Sequence, residues 1–513
     1  MEWLTAVGVC AAVGAVFAGA VRCGFAPLDD PGYVAENAAV AGGWGPEGLK
    51  AAWTGNVAGY WTPLLWMSLG LDTEVWGGAA WGYHLTNVLL HAANAGLLFA
   101  LLLRWLGKER AWLAAAVALL WGVHPARVES VAWVTERKDV LGGMLGLATL
   151  WAYTGGRRGR ALAALSAGML VKPGMLVTMP FLLVLLEAWP MGRGQWRAGE
   201  LARAAGRNGW FWAAGLGLGM VAWRANRAAG IVREDMPGLW ERIREVPVNY
   251  ATYLREGAWP EGMPLMGPWE ASRAWVVAGA VALLMALTGM AWLAAARWGR
   301  DGAGVLAGWL WFLGMLVPSI GLVWMGTTTG LGDRFAYLPH MGLFLAAGLC
   351  ADRWPAGTRA RRAGLLGALA LAAVWGGVSV ERLGTWRTEE TFCRRLIGQW
   401  EGNAFAHGTL GAALARDGKG RRSEAIAELL RAAELDGTDV RVLNNLAWVL
   451  GMGDGATEEE RTEAVAWAER ALAEVGRQEA AGQTLPTGTR VAMEDTVEQV
   501  RRLAKAKHED NHE

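Results

Sequence analysis

The sequence predicts an all-α protein. A polytopic membrane helix bundle of about eleven spans fills residues 1–380, and a domain of paired helical repeats fills 381–513. Three observations carry this expectation. The 513 residues are 53% hydrophobic and 19% charged, whereas soluble domains carry about 25% charged residues. Lys and Arg collect in alternate short loops. Past residue 400 the apolar spacing changes to that of paired amphipathic helices. A soluble cytosolic enzyme is excluded, and a formal net charge of +1 supplies no basic field for nucleic acid. The charge is unevenly spread, because the chain from Asn403 onward holds 20 acidic and 14 basic residues.

A helix needs about 20 mostly apolar residues to cross the hydrocarbon core. On that basis the spans fall at 3–21, 86–105, 111–123, 140–154, 160–172, 174–190, 210–223, 274–296, 302–323, 335–350 and 363–380. The first begins Met-Glu-Trp with no basic run before it, which reads as a retained anchor rather than a cleaved signal peptide. The basic loops are Arg104/Lys108/Arg110, Arg157/Arg158/Arg160, Arg193/Arg197/Arg203/Arg207, Arg297/Arg300 and Arg353/Arg359/Arg361/Arg362. With eleven spans all five lie on one side, which the positive-inside rule makes cytoplasmic. Residues 22–85, 124–139, 224–273 and 324–334, and everything after 380, then lie on the periplasmic or outer side of the inner membrane.

Within the outer loop 224–273, LWERIREVPVNYATYL reads as an amphipathic helix of the kind that lies in a membrane interface. Cys10, Cys23, Cys350 and Cys393 are too few and too scattered for a disulfide framework or a zinc site. In the tail, 403–436 and 439–475 each read helix, turn, helix. Leu410 and Leu446 align at a separation of 36, near the 34-residue tetratricopeptide period. Residues 385–402 and 488–507 supply flanking helices. Such an array serves either as a small helical cap or as a platform for an extended polypeptide.

Ionisable groups beside or within a membrane are expensive and mark function by default. Asp29 and Asp30 open the first outer loop in FAPLDDPGYVAENA, where adjacent carboxylates suit a general base or a cation, although Asp-Asp-Pro-Gly is also good turn chemistry. The second outer loop, HPARVESVAWVTERKD, holds His124, Arg127, Glu129, Glu136, Arg137, Lys138 and Asp139. Lys172 precedes Pro173, and GDRFAYLPH brings Asp333, Arg334 and Tyr337. Arg137, Lys138, Lys172 and Arg334 are thus able to converge on one pocket that suits a lipid phosphate. Interfacial snorkelling and internal pairs, such as Arg334 with Asp333, are the plainer reading. His84 and His91 lie on one helix face with Asn87, where packing and interhelical hydrogen bonds compete with metal ligation.

The ordered strings DDPGYVAEN, WTPLLWMSLGLD, GYHLTNVLLHAANA, HPARVESVAWVTERKDV, KPGMLVTMPFLLVLLEAWPMGR and DRFAYLPHMGLF resemble those of the bacterial relatives of the transmembrane and tetratricopeptide-repeat O-mannosyltransferases, glycosyltransferases of the C superfamily. The resemblance runs from about residue 25 to 475. It implies a bundle of about eleven helices with the active site and the repeats facing the periplasm or lumen. It also implies transfer of a mannose-like sugar, with inversion, from a polyprenyl-phosphate donor to a hydroxyl acceptor, usually a protein Ser or Thr. By the same resemblance Asp29, or else Asp30, is the base. His124, Glu129, Arg137, Lys138, Asp139, Lys172, Asp333, Arg334 and Tyr337 cradle the donor and its phosphate. The resemblance fixes no cofactor and leaves open a divalent metal ion held by Asp29 and Asp30. The implied partners are the lipid-linked sugar, an acceptor protein or glycan, and membrane lipid. A lipid or cell-wall glycan as acceptor, a non-catalytic membrane-anchored scaffold and a transporter remain as alternatives.

Overall fold

The structure is a computed structural model. It describes all residues except 1, 56, 58–59, 193–195, 229–236, 323–329, 354–357, 419, 454, 484, 487 and 511–513. Arg193 and parts of the 224–273 and 324–334 loops therefore lie outside the described residues, as do the side chains of Arg359 and Arg361. The described residues form helices joined by loops, with no strand and one isolated bridge between Val57 and Tyr60. It divides into two units, Met1–Arg387 and Thr388–Glu513.

In the first unit, five described helices are long and apolar enough to cross a membrane: Glu2–Arg22, Ala80–Leu106, Ala274–Arg297, Gly299–Ser319 and Arg362–Gly384. Lys108–Val123 and Pro125–Ala132 add a sixth candidate as a pair bent by 57°. Outward faces such as Leu366, Leu369, Val374 and Val380, or Trp275, Met285 and Met290, are exposed and apolar, as lipid-facing helices require. The chain thus has the helices of a multi-pass membrane protein.

The other expected spans fall on helices that are shorter or less apolar. Residues 140–154 lie in Arg137–Thr154 and 210–223 in Gly209–Ala228, while 160–172 runs past the end of Arg158–Met169 and 335–350 begins before Pro339–Asp352. The expected span 174–190 is divided between Pro173–Leu176 and Met179–Ala188. The interfacial stretch forms one helix, Leu239–Ala258.

Two X-Pro steps shape the loops that carry the charged residues. A residue before proline is driven toward extended backbone by the pyrrolidine ring. His124 (ψ 135°) ends one helix before Pro125, and Lys172 (φ −144°, ψ 82°) leaves another before Pro173. After His124 the chain makes short turns, Pro125–Arg127, Val128–Ala132 and Val134–Glu136, before the helix Arg137–Thr154.

Helix Ala80–Leu106 anchors these turns with a buried polar stripe. The Asn87 amide donates to the carbonyls of Val131 (3.3 Å) and Trp133 (3.3 Å), and Asn94 donates to Val140 O at 2.7 Å. His91 bridges the Tyr337 hydroxyl and Gly122 O, both at 2.8 Å. Positions 87, 91 and 94 lie on one helix face. Gly143 is needed beside them, because a Cβ there would lie 2.6 Å from the Tyr337 ring.

The second unit holds the helices Glu389–Gln399, Ala404–Asp417, Arg422–Leu435, Val440–Met452, Glu458–Ala480 and Thr489–Asp510. Thr388, Asn403, Asp439 and Thr457 cap four of them through side-chain oxygens. Leu410 and Leu446 are both fully buried.

Candidate active site

Asp29 and Asp30 are adjacent but differently placed. Asp30 is fully buried. One of its oxygens accepts from the N–H of Ala26 at 2.8 Å and the other from the N–H of Thr135 at 2.9 Å. Burial pushes its carboxyl up to about 7, against the pull of those two donors. The Asp29 side chain is 44% exposed, and its nearest cation is Lys138 Nζ at 3.9 Å. Asp30 is therefore a strut between two loops, while Asp29 is an accessible carboxylate.

Beside Asp29, three cations meet at Glu136, whose side chain is 1% exposed. Lys138 Nζ lies 3.2 Å and Arg334 Nε 3.4 Å from the same oxygen, Oε1, and Lys172 Nζ lies 3.2 Å from Oε2. Burial opposes ionisation of Glu136, but Lys138, Lys172 and Arg334 outweigh it and hold the carboxyl far below its usual range. Each cation has further company. Arg334 pairs with Glu129, both through its guanidinium and through a 3.2 Å bond from its backbone N–H. Lys172 pairs with Asp139, which also accepts from Ser130 Oγ at 2.9 Å. Lys138 sits over the rings of Tyr33 (5.4 Å), Tyr60 (5.9 Å) and Trp133 (5.8 Å).

Lys138, Lys172 and Arg334 come together at Glu136, and Arg137 does not join them. The Arg137 guanidinium is fully buried and internally saturated. It reaches Asp72 (2.5 Å), Tyr83 O (2.8 Å) and Ser68 Oγ (3.1 Å), and bonds Asn87 as well. The physical reason is position. Arg137 opens a helix that packs against Ala80–Leu106, so its side chain turns inward, one residue from Lys138, which turns out. Arg334 takes Glu129 as partner rather than its neighbour Asp333. Asp333 instead lies 3.8 Å from Arg382 and accepts from Met263 N–H at 3.4 Å. Burial, reinforced by Glu129, pushes the Asp333 carboxyl up.

Tyr337 and His124 also lie in packed surroundings. The Tyr337 hydroxyl contacts His91 (2.8 Å) and Asn94 (2.9 Å). The His124 ring packs edge-on against Trp375 at 4.5 Å. His84 lies 3.2 Å from Gly24 O, so neither His84 nor His91 faces the other. Among the described residues no group of three or more His, Cys, Asp or Glu is arranged to hold a metal. Both oxygens of Asp30 are taken by N–H donors, so Asp29 and Asp30 do not present the shared oxygen set a divalent ion would need.

Sequence reasoning placed Glu136 in the charged loop but gave it no role, and it missed Asp72 and Trp133. The signal for Glu136 was its position two residues before Lys138. No sequence signal could have paired Asp72 with Arg137, which lies 65 positions away.

The fold and this cluster are those of a helical membrane protein with a charged, carboxylate-lined site beside its spans. Comparison with curated proteins adds a partial likeness. A stretch of 91 residues, 18% of this chain, is 38% identical to Protein O-mannosyl-transferase tmtc2 of Xenopus laevis and covers 11% of that protein. The human Protein O-mannosyl-transferase TMTC2 is 37% identical over 91 residues, with the same coverage. Drosophila melanogaster Protein O-mannosyl-transferase Tmtc1 is 42% identical over 82 residues, 16% of this chain and 9% of its own length. The matches thus span about a tenth of these relatives. No family profile and no solved structure matches the chain.

Proposed function

We propose that this chain is an integral-membrane glycosyltransferase that moves a mannose-like sugar from a polyprenyl-phosphate donor to the hydroxyl of a protein Ser or Thr, with inversion. The observation that carries the reading is an accessible carboxylate, Asp29, 3.9 Å from Lys138, beside a point where Lys138, Lys172 and Arg334 meet. The local identity to O-mannosyl-transferases supports it.

The chemistry asks little more. The acceptor hydroxyl is a poor nucleophile, and Asp29 takes its proton as the oxygen attacks the anomeric carbon. The bond from that carbon to the phosphate oxygen breaks on the opposite face, and polyprenyl phosphate leaves with the bonding pair. A phosphate ester leaves well when cations stabilise the charge it gains, so Lys138, Lys172 and Arg334 replace a general acid. Glu129, Glu136 and Asp139 hold these cations in place before the donor arrives. Arg137 and Tyr337 act one layer back, fixing the turns that carry the site. The topology proposed with this reaction has eleven spans, with the site and the repeat-like helices of 388–513 on the periplasmic side of the inner membrane.

The test gives purified wild type and Asp29→Asn a panel of polyprenyl-phosphate sugars and follows donor consumption by mass spectrometry. Consumption by wild type that Asp29→Asn abolishes supports the reading, and equal consumption by both overturns the base. Transfer to a lipid or glycan in place of a Ser/Thr peptide would keep the chemistry and change the acceptor.

A further inference from the structure

Trp133 contacts two of the three clustered cations and is accounted for by none of the roles above. It closes a 3₁₀ turn with Glu136, whose N–H donates to Trp133 O at 3.1 Å. Trp133 itself is extended (φ −88°, ψ 115°) and leads into the turn that carries Glu136. The two cations that meet at Glu136 Oε1 also flank this ring. Arg334 lies 5.3 Å and Lys138 5.8 Å from its centroid, and Trp386 packs beside it at 6.1 Å. Trp133 is 5% exposed, yet its Nε1–H has no hydrogen-bond partner among the described residues.

An indole nitrogen only donates, and a buried donor left unpaired is costly and uncommon. The neighbouring Lys138 and Arg334 only donate as well. The carboxylates of Glu129, Glu136 and Asp139 are engaged by the cations. No described residue supplies the missing acceptor, and beside two cations an oxygen bearing negative charge fits best.

We propose that Trp133 is a ligand-binding residue, its indole N–H donating a hydrogen bond to a phosphate oxygen seated at the ring edge beside Lys138 and Arg334. The identity of that anion rests on the proposed reaction, and the assignment names the group that completes its recognition. The ring contacts both cations, and the N–H supplies a third, directional donor that a bare pair of charges lacks. A polyprenol without the phosphate gains nothing from it.

Trp133→Phe keeps an aromatic ring beside the cations and deletes the N–H. The full-length protein in lipid nanodiscs is titrated with polyprenyl phosphate, with the unphosphorylated polyprenol and with inorganic phosphate. Trp133→Phe should weaken polyprenyl phosphate roughly tenfold or more, the size of a charge-assisted hydrogen bond, and raise the donor KM with little change in kcat. Polyprenol binding and thermal unfolding should stay as in wild type. A matching loss for inorganic phosphate means that the headgroup alone is read, and a loss confined to the lipid form means that the chain must seat it first; either supports the assignment. Unchanged phosphate affinity in Trp133→Phe, or an equal loss for polyprenol, overturns it while leaving the proposed reaction standing. A wild type that binds polyprenol and polyprenyl phosphate alike overturns both. Should the Phe variant fail to fold, benzothienylalanine at 133, with sulfur in place of N–H, makes the same comparison.

Discussion

The carboxylate of Asp30 accepts a 2.9 Å hydrogen bond from the backbone N–H of Thr135, across 105 positions of sequence. With the bond to Ala26 this joins the loop that carries Asp29 to the turn that carries Glu136 and Lys138. Adjacent aspartates thus do separate work, one holding the site together and one open to it.

The two positions should separate by assay. Asp29→Asn should lower donor consumption by about 100-fold or more, the scale of a lost general base, with no shift in thermal unfolding. Asp30→Asn turns an amide N–H toward a backbone N–H in a buried site and should cost about 1–3 kcal/mol, seen as a lower melting temperature. A stable Asp30→Asn protein without activity would assign the base the other way.

Asp30 also sets a pH dependence. Its carboxyl titrates at about 7 in the folded chain and near 3.9 when unfolded. A raised folded value means that the folded state binds the proton more tightly, so stability is full below about pH 4. It declines as pH rises toward 7 and is flat above. Melting curves from pH 4 to 8 should show wild type losing stability relative to Asp30→Asn over that interval. Parallel curves would show that Asp30 keeps an ordinary carboxyl.

Arg137 should prove structural despite its place in the charged run. Removing one member of a buried pair leaves the other uncompensated, at roughly 3–5 kcal/mol. Arg137→Ala and Asp72→Ala should each reduce thermal stability by a similar amount. The double variant should be no worse than either, because the orphaned charge is gone. Lys138→Ala, by contrast, should leave unfolding near wild type and weaken donor binding.

Gly143 tests the seat of Tyr337. With a Cβ 2.6 Å from the ring, Gly143→Ala must displace Tyr337 from His91 and Asn94, and overpacking of this kind costs about 1–3 kcal/mol. The double variant Gly143→Ala/Tyr337→Leu should recover part of the loss in a melting experiment. No recovery would place the strain elsewhere.

Much of this architecture was legible in order along the chain. Long apolar runs need nothing but their own composition to declare themselves, and five of the expected spans fall on described helices that meet the length and apolarity of a crossing. Paired amphipathic helices were readable at 403–436 and 439–475, where apolar spacing is a local property. The X-Pro steps at His124 and Lys172 were visible as residues, though not as the devices that turn the chain out of its helices. Shorter helices such as Arg158–Met169 and Met179–Ala188 show where hydropathy alone overran, since proline and backbone geometry set their ends.

What the sequence by itself determined is the helical class, the apolar body with its hydrophilic tail, and the shortlist of charged residues, because each depends on composition or on spacing within a few turns. Only the tertiary structure decided which of those charges faces which. Neighbours in sequence diverge, Asp29 from Asp30 and Arg137 from Lys138, since one step along a turn or helix swings a side chain by about 100°. Residues far apart meet, as Arg334 does with Glu129 and Lys172 with Asp139. Burial then gives each pairing its strength, because a charge withdrawn from water must find its counter-charge wherever the fold has placed it.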